Sequence, residues 1–529
     1  MRDTYYLTVG KASDLQKEGD RRLYRFLEIL PGGIIWMTFG ILVLFSWLEP
    51  SWVASFIIGF DIYWLLKTIY LSFHLRSSYR RMKRYIDVDW LHNLNGLAGY
   101  RIPAAYWQDI YHLIIFPMHR EPLSVVRPSF EALAKTDYPK DRMIVVLAVE
   151  EAGREKAQEV ARAIEQEFAN SFFILKVIIH PFGIPGEIAG KGSNEAWAGR
   201  LAKETIIDFL TIPYEHVVVS VFDVDTVVYP KYFSCLTYHY LTAEHPLRTS
   251  FQPIPLFINN IWEAPALARV IAFSSTFWHL MNQARPEKKV TFSSHSMPFR
   301  ALVDIGFWQK NVVSEDSRIF WQCFLFYGGD YRVEPLFYPI SMDANVAPAF
   351  WGTLKQLYKQ QRRWAYGAAD IPYYLFGFFK NWFSPGQDRR ARIPFHKIYN
   401  YGFYTLEGFW SWGTNALIIL VFGLLPLFLG GEEFNATLLS YNLPRITRVL
   451  LTLAMIGIIS SAYTALLLLP PRPPRYGKWH YPIQILQWFL IPFIMVVFGA
   501  LPAIEAQTRL MLGKYMGFWF TPKMRKEKT

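Results

Sequence analysis

Apolar and polar positions along the chain fall into two regimes. Uncharged runs long enough to cross a bilayer, which takes about 20 residues, occupy 29–48, 408–431, 449–471 and 481–504, and a fifth run, 51–75, carries Asp61 and Lys67. Between the two clusters the apolar runs are short: "YHLIIFP" (111–117), "MIVVLAV" (143–149), "FFILKVII" (172–179) and "HVVVSVF" (216–222). Stretches of helical period at 127–135, 153–169 and 192–210 separate them. Continuous apolar strands alternating with amphipathic helices predict a parallel sheet covered on both faces. Ligands of such sheets gather at the carboxyl ends of the strands. Three of those ends are polar here, "PMHREP" (117–122), "VEE" (149–151) and "FDVD" (222–225), which predicts one polar edge.

Charge placement orients the apolar runs. "LRSSYRRMKRY" (75–85) is strongly basic and "EPS" (49–51) is not, so the first two runs form a hairpin with both ends and residues 76 onward in the cytoplasm. Its first run follows a charged stretch and has no small-residue cleavage site, which predicts an anchor rather than a cleaved leader. Asp61 is expected to be a paired or snorkelling structural group. Basic and aromatic residues are mixed in 371–407, the pattern of helices lying in the interface. Five crossings would put the basic tail 505–529 outside, against the same rule. Pro492 and Pro502 interrupt helix hydrogen bonding in 481–504, so the expectation is four crossings, with 481–504 bent or re-entrant. The expected division is a cytoplasmic segment 1–28, a transmembrane hairpin 29–75, a cytoplasmic catalytic domain 76–370, interfacial helices 371–407, a membrane region 408–504 and the cytoplasmic tail 505–529. The whole reads as a multi-pass membrane protein, of the plasma membrane, with its active domain in the cytoplasm.

Composition narrows the chemistry. The net charge of +12 gathers beside apolar runs rather than in a nucleic-acid module, so the expected partner is a bilayer and not nucleic acid. Two cysteines without a CxxC or Cys/His cluster suggest neither a disulfide framework nor a zinc site. Asp223 and Asp225 alternate at a strand end; on an extended backbone they share a face and can hold one hard divalent cation against a diphosphate. A strand-terminal turn built on aspartate is the plainer alternative. Glu315 and Asp316 precede a helical run, as a helix cap would. Gln360, Arg363 and Trp364 share one helical face, where an arginine fork suits a diphosphate and an indole suits a sugar, or where both anchor an interface.

In order and spacing these stretches resemble the membrane-embedded family 2 glycosyltransferases, the group of cellulose, chitin and hyaluronan synthases, with their D, DxD, (T/S)ED, QxxRW and FxVTxK motifs. The matches are Asp223-Val-Asp225, Ser314-Glu315-Asp316, Gln360-Gln-Arg-Arg363-Trp364 and "FWFTPK" with Phe518, Thr521 and Lys523. "GKGSNEA" (190–196) looks like the family's lysine-containing nucleotide loop and "FSSHSMPFR" (292–300) like its acceptor stretch. The resemblance implies an α/β fold, a GT-A-like (Rossmann-related) glycosyltransferase domain inserted between transmembrane α-helical segments. It implies Mg2+ or Mn2+ on Asp223 and Asp225, with Asp316 as catalytic base. It implies that Glu121, Glu150, Glu151, Lys191, Gln360, Arg363 and Lys523 bind a nucleotide-sugar, first of all a UDP-sugar. Glu315, Trp364 and His295 would then face the acceptor. Two departures stand out: Glu150 and Glu151 hold the place of the family's base-binding aspartate, and Ser293 to His295 replace the cysteine and glycine of cellulose synthases.

The expected reaction is inverting transfer from a nucleotide-sugar to a membrane-associated acceptor, lipid-linked or a growing polysaccharide, giving a β linkage from an α donor. "FWFTPK" would act as a lid over the donor. Two other readings stay open: a single-sugar transferase acting on a lipid carrier, and a nucleotide-sugar-binding regulator without catalysis.

Overall fold

In the computed structural model, which describes residues 5–97, 99, 102, 106–383 and 392–525, one eight-stranded sheet organises the domain between the apolar helices. Its strands are β1 (Tyr111–Met118), β2 (Met143–Glu150), β3 (Ile174–His180), β4 (Val217–Val221), β5 (Val227–Val228), β6 (Thr249–Phe257), β7 (His295–Pro298) and β8 (Arg332–Met342). The order across the sheet is β3-β2-β1-β4-β7-β6-β8-β5. The first four are parallel and meet the expected strands within two residues at each end. Their continuous apolar runs serve two cores, because alternate side chains face opposite ways. Leu113 and Ile115 enter one core, and Ile114 and Phe116 the other. The covering helices Leu123–Ala134, Arg154–Phe168 and Lys191–Ala202 stand where the helical period placed them, although the last gives way to a π turn at Lys203–Ile207. The α/β class is thus as expected.

The expectation of a parallel sheet fails beyond β4. β7 runs antiparallel to β4 and β6, β6 and β8 are parallel to each other, and β5 is antiparallel to β8. Prolines hid these strands. Pro253 and Pro255 lie in β6, Pro335 and Pro339 in β8, and the register shifts between Gln252 and Ile254, where a bulge absorbs a missing donor.

Among the described residues four helices are long and apolar enough to cross a membrane: Glu18–Leu48, Pro50–Asp87, Leu438–Leu468 and His480–Met511. A fifth span results if Phe395–Leu420 and Phe422–Leu429, bent by 48°, form one. His480–Met511 is interrupted by a 3-10 turn at Gln487–Leu490 and a π turn at Met495–Ala500. Asp61 is buried and accepts a hydrogen bond from Thr447 at 3.0 Å. Residues 384–391 of the expected interfacial segment and 526–529 of the tail lie outside the described residues.

The stretch before the first apolar run is structural. Tyr6, Leu7, Val9 and Leu15 join the core that also holds Phe320 and Tyr373. Arg318, fully buried, ties them together: it donates to Asp370 at 2.7 Å, Val9 O at 3.2 Å, Gln309 at 3.0 Å and Ala369 O at 3.0 Å. Removing one partner of a buried ion pair strands the other charge, so Arg318→Leu is expected to cost about 3–5 kcal/mol. A lowered unfolding midpoint in detergent measures this, and Arg318→Leu with Asp370→Leu should recover most of the loss.

Candidate active site

The polar edge is built where β4 ends. Thr226 N bonds to Asp223 O at 2.8 Å, so Asp223 to Thr226 form a turn and not the extended alternation expected of them. The turn nonetheless brings both carboxylates to one cation. Lys523 Nζ contacts Asp225 Oδ1 directly and lies 3.8 Å from Asp223 Oδ2. From the other side Lys191 Nζ stands 3.0 Å from Asp223, 3.5 Å from Glu195 and 3.6 Å from Glu315. Burial opposes ionisation of Asp223, yet Lys191 and Lys523 hold its carboxyl well below the usual carboxylate range. Burial likewise disfavours the Lys191 ammonium, but Asp223, Glu195 and Glu315 more than offset it. Burial and the neighbouring Asp316 raise Glu315 to about 7.

Close approach fixes two glycines here. A Cβ on Gly190 would lie 2.6 Å from the Phe518 ring, and one on Gly192 would lie 2.8 Å from Glu315 Cβ. "GKG" thereby lets the tail and the start of helix Glu315–Phe326 close on Lys191. Asp316, in the first turn of that helix, accepts from Ser317 N at 2.9 Å, while Ser317 Oγ donates to Asp370 at 2.6 Å. The buried Arg318 pair therefore positions the acidic turn.

The tail crosses the site in short steps. Tyr515 donates to Glu28 at 2.8 Å, and Met516 N to Tyr366 at 3.3 Å. Phe518 lies 4.8 Å under the Arg363 guanidinium, and Phe520 stacks on His119 at 3.9 Å. Beyond Lys523, Arg525 forks onto Asp343 at 2.6 and 3.1 Å. Asp343 N in turn donates to Asp225 Oδ2 at 3.1 Å. Burial and Asp225 raise Asp343 to about 6.

The remaining expected residues are distributed around this centre. Glu150 Oε2 lies 3.4 Å from His180 Nδ1 and its Oε1 is buried with no partner among the described residues. Glu151 is exposed and accepts from Phe182 N at 2.8 Å, bracing the loop after β3. Glu121 accepts from His119 N and Arg120 N at 2.7 and 3.0 Å. Gln360 is reached through Asn345 at 3.3 Å, and Trp364 lies 6.4 Å from the Phe257 ring. His295 donates from Nδ1 to Phe292 O at 2.9 Å; burial, then Lys191, lowers it to about 4, so it is neutral and Nε2 keeps a free lone pair. Asp343, Glu195, His180 and Arg525 belong to the cluster and were not singled out from sequence. The end of the apolar run "PLFYPISM" (335–342) was the available signal for Asp343.

A divalent cation fits this donor set. Asp223 and Asp225 already close on a cation, the Lys523 ammonium, and their oxygen-only chemistry suits Mg2+ or Mn2+. Among the described residues no group of three His, Cys, Asp or Glu could hold a metal unaided. Two carboxylates completed by phosphate oxygens of a ligand is the usual Mg2+ arrangement.

A family model described as "Glycosyl transferase family group 2" matches residues 218–503, more than half of the chain. No curated protein matches. Among solved structures, the mannosyltransferase PcManGT from Pyrobaculum calidifontis in complex with GDP-Man and Mn2+ is similar at 13% identity and a TM-score of 0.38, covering 78% of this chain and 99% of that one. S. aureus TarS 1-349 in complex with UDP-GlcNAc is similar at 11% identity and a TM-score of 0.35, covering 77% and 93%.

Proposed function

The chain belongs to glycosyl transferase family group 2, and from that premise we propose that it is a metal-dependent, inverting transferase moving a sugar from a nucleotide-sugar, first of all a UDP-sugar, to a membrane-associated acceptor. The observation that carries the reading is the closure of Asp223 and Asp225 on one cation, with Lys191 on the opposite side.

A diphosphate leaving group gathers negative charge as the anomeric bond breaks. A dication on Asp223 and Asp225 would supply Lewis-acid neutralisation of that charge. Lys191, Lys523 and Arg363 bring three further cations to the same edge. Lys523 exchanges its carboxylate partners for phosphate oxygens when a donor is bound, so the tail both guards the site and completes it. Asp316 takes the proton of the acceptor hydroxyl from the face opposite the leaving group, which inverts the anomeric centre and gives a β linkage from an α donor. Glu150, with one unspent oxygen, accepts from a base N–H; Glu315, His295 and Trp364 face the acceptor. Membranes incubated with a panel of labelled nucleotide-sugars, followed by sizing of the product, test the reading: a polymer marks a synthase, one sugar on a lipid marks a single-addition transferase, and no transfer from any donor overturns it.

We place the catalytic domain and the tail on the cytoplasmic side, with His480–Met511 not crossing. Supporting this, Gln487 accepts from Arg269 at 2.7 Å and Glu505 accepts from Tyr358 at 2.9 Å. The helix is thus held by the catalytic domain at two points about 27 Å apart along its axis. Cys235 and Cys323 are both buried, so a single reporter suffices. Met524→Cys is expected to react with an impermeant thiol reagent only in opened cells; labelling from outside intact cells would refute the placement.

A further inference from the structure

A row of unspent polar atoms leads away from the aspartates. His295 Nε2 and Thr291 Oγ1 are each buried with no hydrogen-bond partner among the described residues, and between them the Ser293 hydroxyl faces the Asp223 carboxylate, whose ionised form it favours. Two places further on stands Lys289, 3% exposed, whose ammonium has no hydrogen bond or ion pair among the described residues. The residues between are committed elsewhere: Phe292 packs edge-on against Trp278 at 4.8 Å, and Ser294 Oγ pairs with Thr226 at 3.1 Å. Lys289 itself is extended, at φ −78° and ψ 132°, and the chain bends at Ser293 and Ser294. Ser294, at φ +63°, turns the backbone beside Asp223, whose N–H donates to its hydroxyl at 3.4 Å.

A buried ammonium without a counter-ion is costly, and cations are buried where something anionic meets them. Among the described residues no such group pairs with Lys289. Glu287, two residues away, is exposed, and its charge acts on His74. Burial alone lowers Lys289, to about 7, and Lys289 adds to the lowering of buried His279. The surroundings are basic and face the apolar helices. Lys288 lies over the Tyr404 ring at 3.1 Å, and Arg285 Nε is buried with no partner among the described residues. His74 stands about 36 Å along helix Pro50–Asp87 from its start, just beyond the depth of a hydrocarbon core of about 30 Å. Phe73, next to His74, and Trp278 are both exposed.

We propose that Lys289 receives a phosphate through which the acceptor glycan is tethered to a membrane lipid, the glycan running past Thr291 and Ser293 to the aspartates. This deepens, and rests on, the transferase reading above. Lys289 stands four residues before Ser293 and makes no contact with Asp223 or Asp225 among the described residues, so the anion is a remote anchor and not the attacking group.

The test uses the full chain in phosphatidylcholine nanodiscs loaded with polyprenyl phosphate or uncharged polyprenol, with retained lipid read by native mass spectrometry. The wild type is expected to prefer the phosphate by about tenfold or more, Lys289→Arg to keep the preference and Lys289→Gln to lose it. A second measurement needs no variant: acylation of Lys289 by an amine reagent, mapped by peptide mass, should slow about tenfold with polyprenyl phosphate and not with polyprenol. No preference, preference retained by Lys289→Gln, no protection, or displacement of the lipid by millimolar inorganic phosphate overturns the proposal. Protection by an acidic oligosaccharide in place of the lipid does so too. Lipid retention is read without sugar transfer, so a failed donor panel leaves this result standing and the converse also holds.

Discussion

Asparagine in place of Asp316 is expected to lower turnover by about 100-fold or more while the nucleotide-sugar still binds. The substitution keeps the side chain's volume and its capacity to accept from Ser317 N at 2.9 Å, so the helix start survives and only the proton acceptor is lost. Arg318 and Ser317 continue to hold the turn through Asp370. Single-turnover rates and donor titration separate the possibilities. If donor affinity falls as far as turnover, Asp316 is a binding residue or a cap and the base lies elsewhere.

Removal of divalent metal, or Asp225→Asn, is expected to lower turnover by about a thousandfold or more, the equivalent of several kcal/mol of charge stabilisation. Asp225 is 1% exposed and takes both Lys523 and the Asp343 N–H. The amide would lose its attraction for Lys523 and for a dication together. Excess Mg2+ or Mn2+ should therefore rescue chelated wild type and not the variant. Full activity in chelator would leave Lys191, Lys523 and Arg363 as the cations for the diphosphate and remove the metal from the account.

The strand ends were legible because β1, β2 and β4 are almost entirely buried apolar runs and a charged residue follows within two positions of the last apolar one. DxD, "SED" and "QQRRW" were legible as residue types at fixed spacing. The turn at Asp223 was not, since alternation alone cannot tell an extended pair from a turn whose side chains converge. Asp343 escaped because Pro335 and Pro339 broke the strand signature ahead of it. The packing of Val9 on Arg318 escaped for another reason: a charged amino-terminal stretch carries no mark of the partner it meets some three hundred residues later.

On the proposed placement, that last contact would couple the bilayer to the reaction. Helix Glu18–Leu48 carries Tyr24 and Leu27 in the catalytic core and continues, without a break, through its apolar run. On the proposed placement it is a stiff lever about 46 Å long, with one arm in lipid and the other against the residues that brace Asp316. A bilayer thicker or thinner than the apolar run tilts such a helix at a cost of fractions of a kcal/mol per Å. Acyl-chain length then becomes a mechanical input, felt at Arg318 before any substrate arrives.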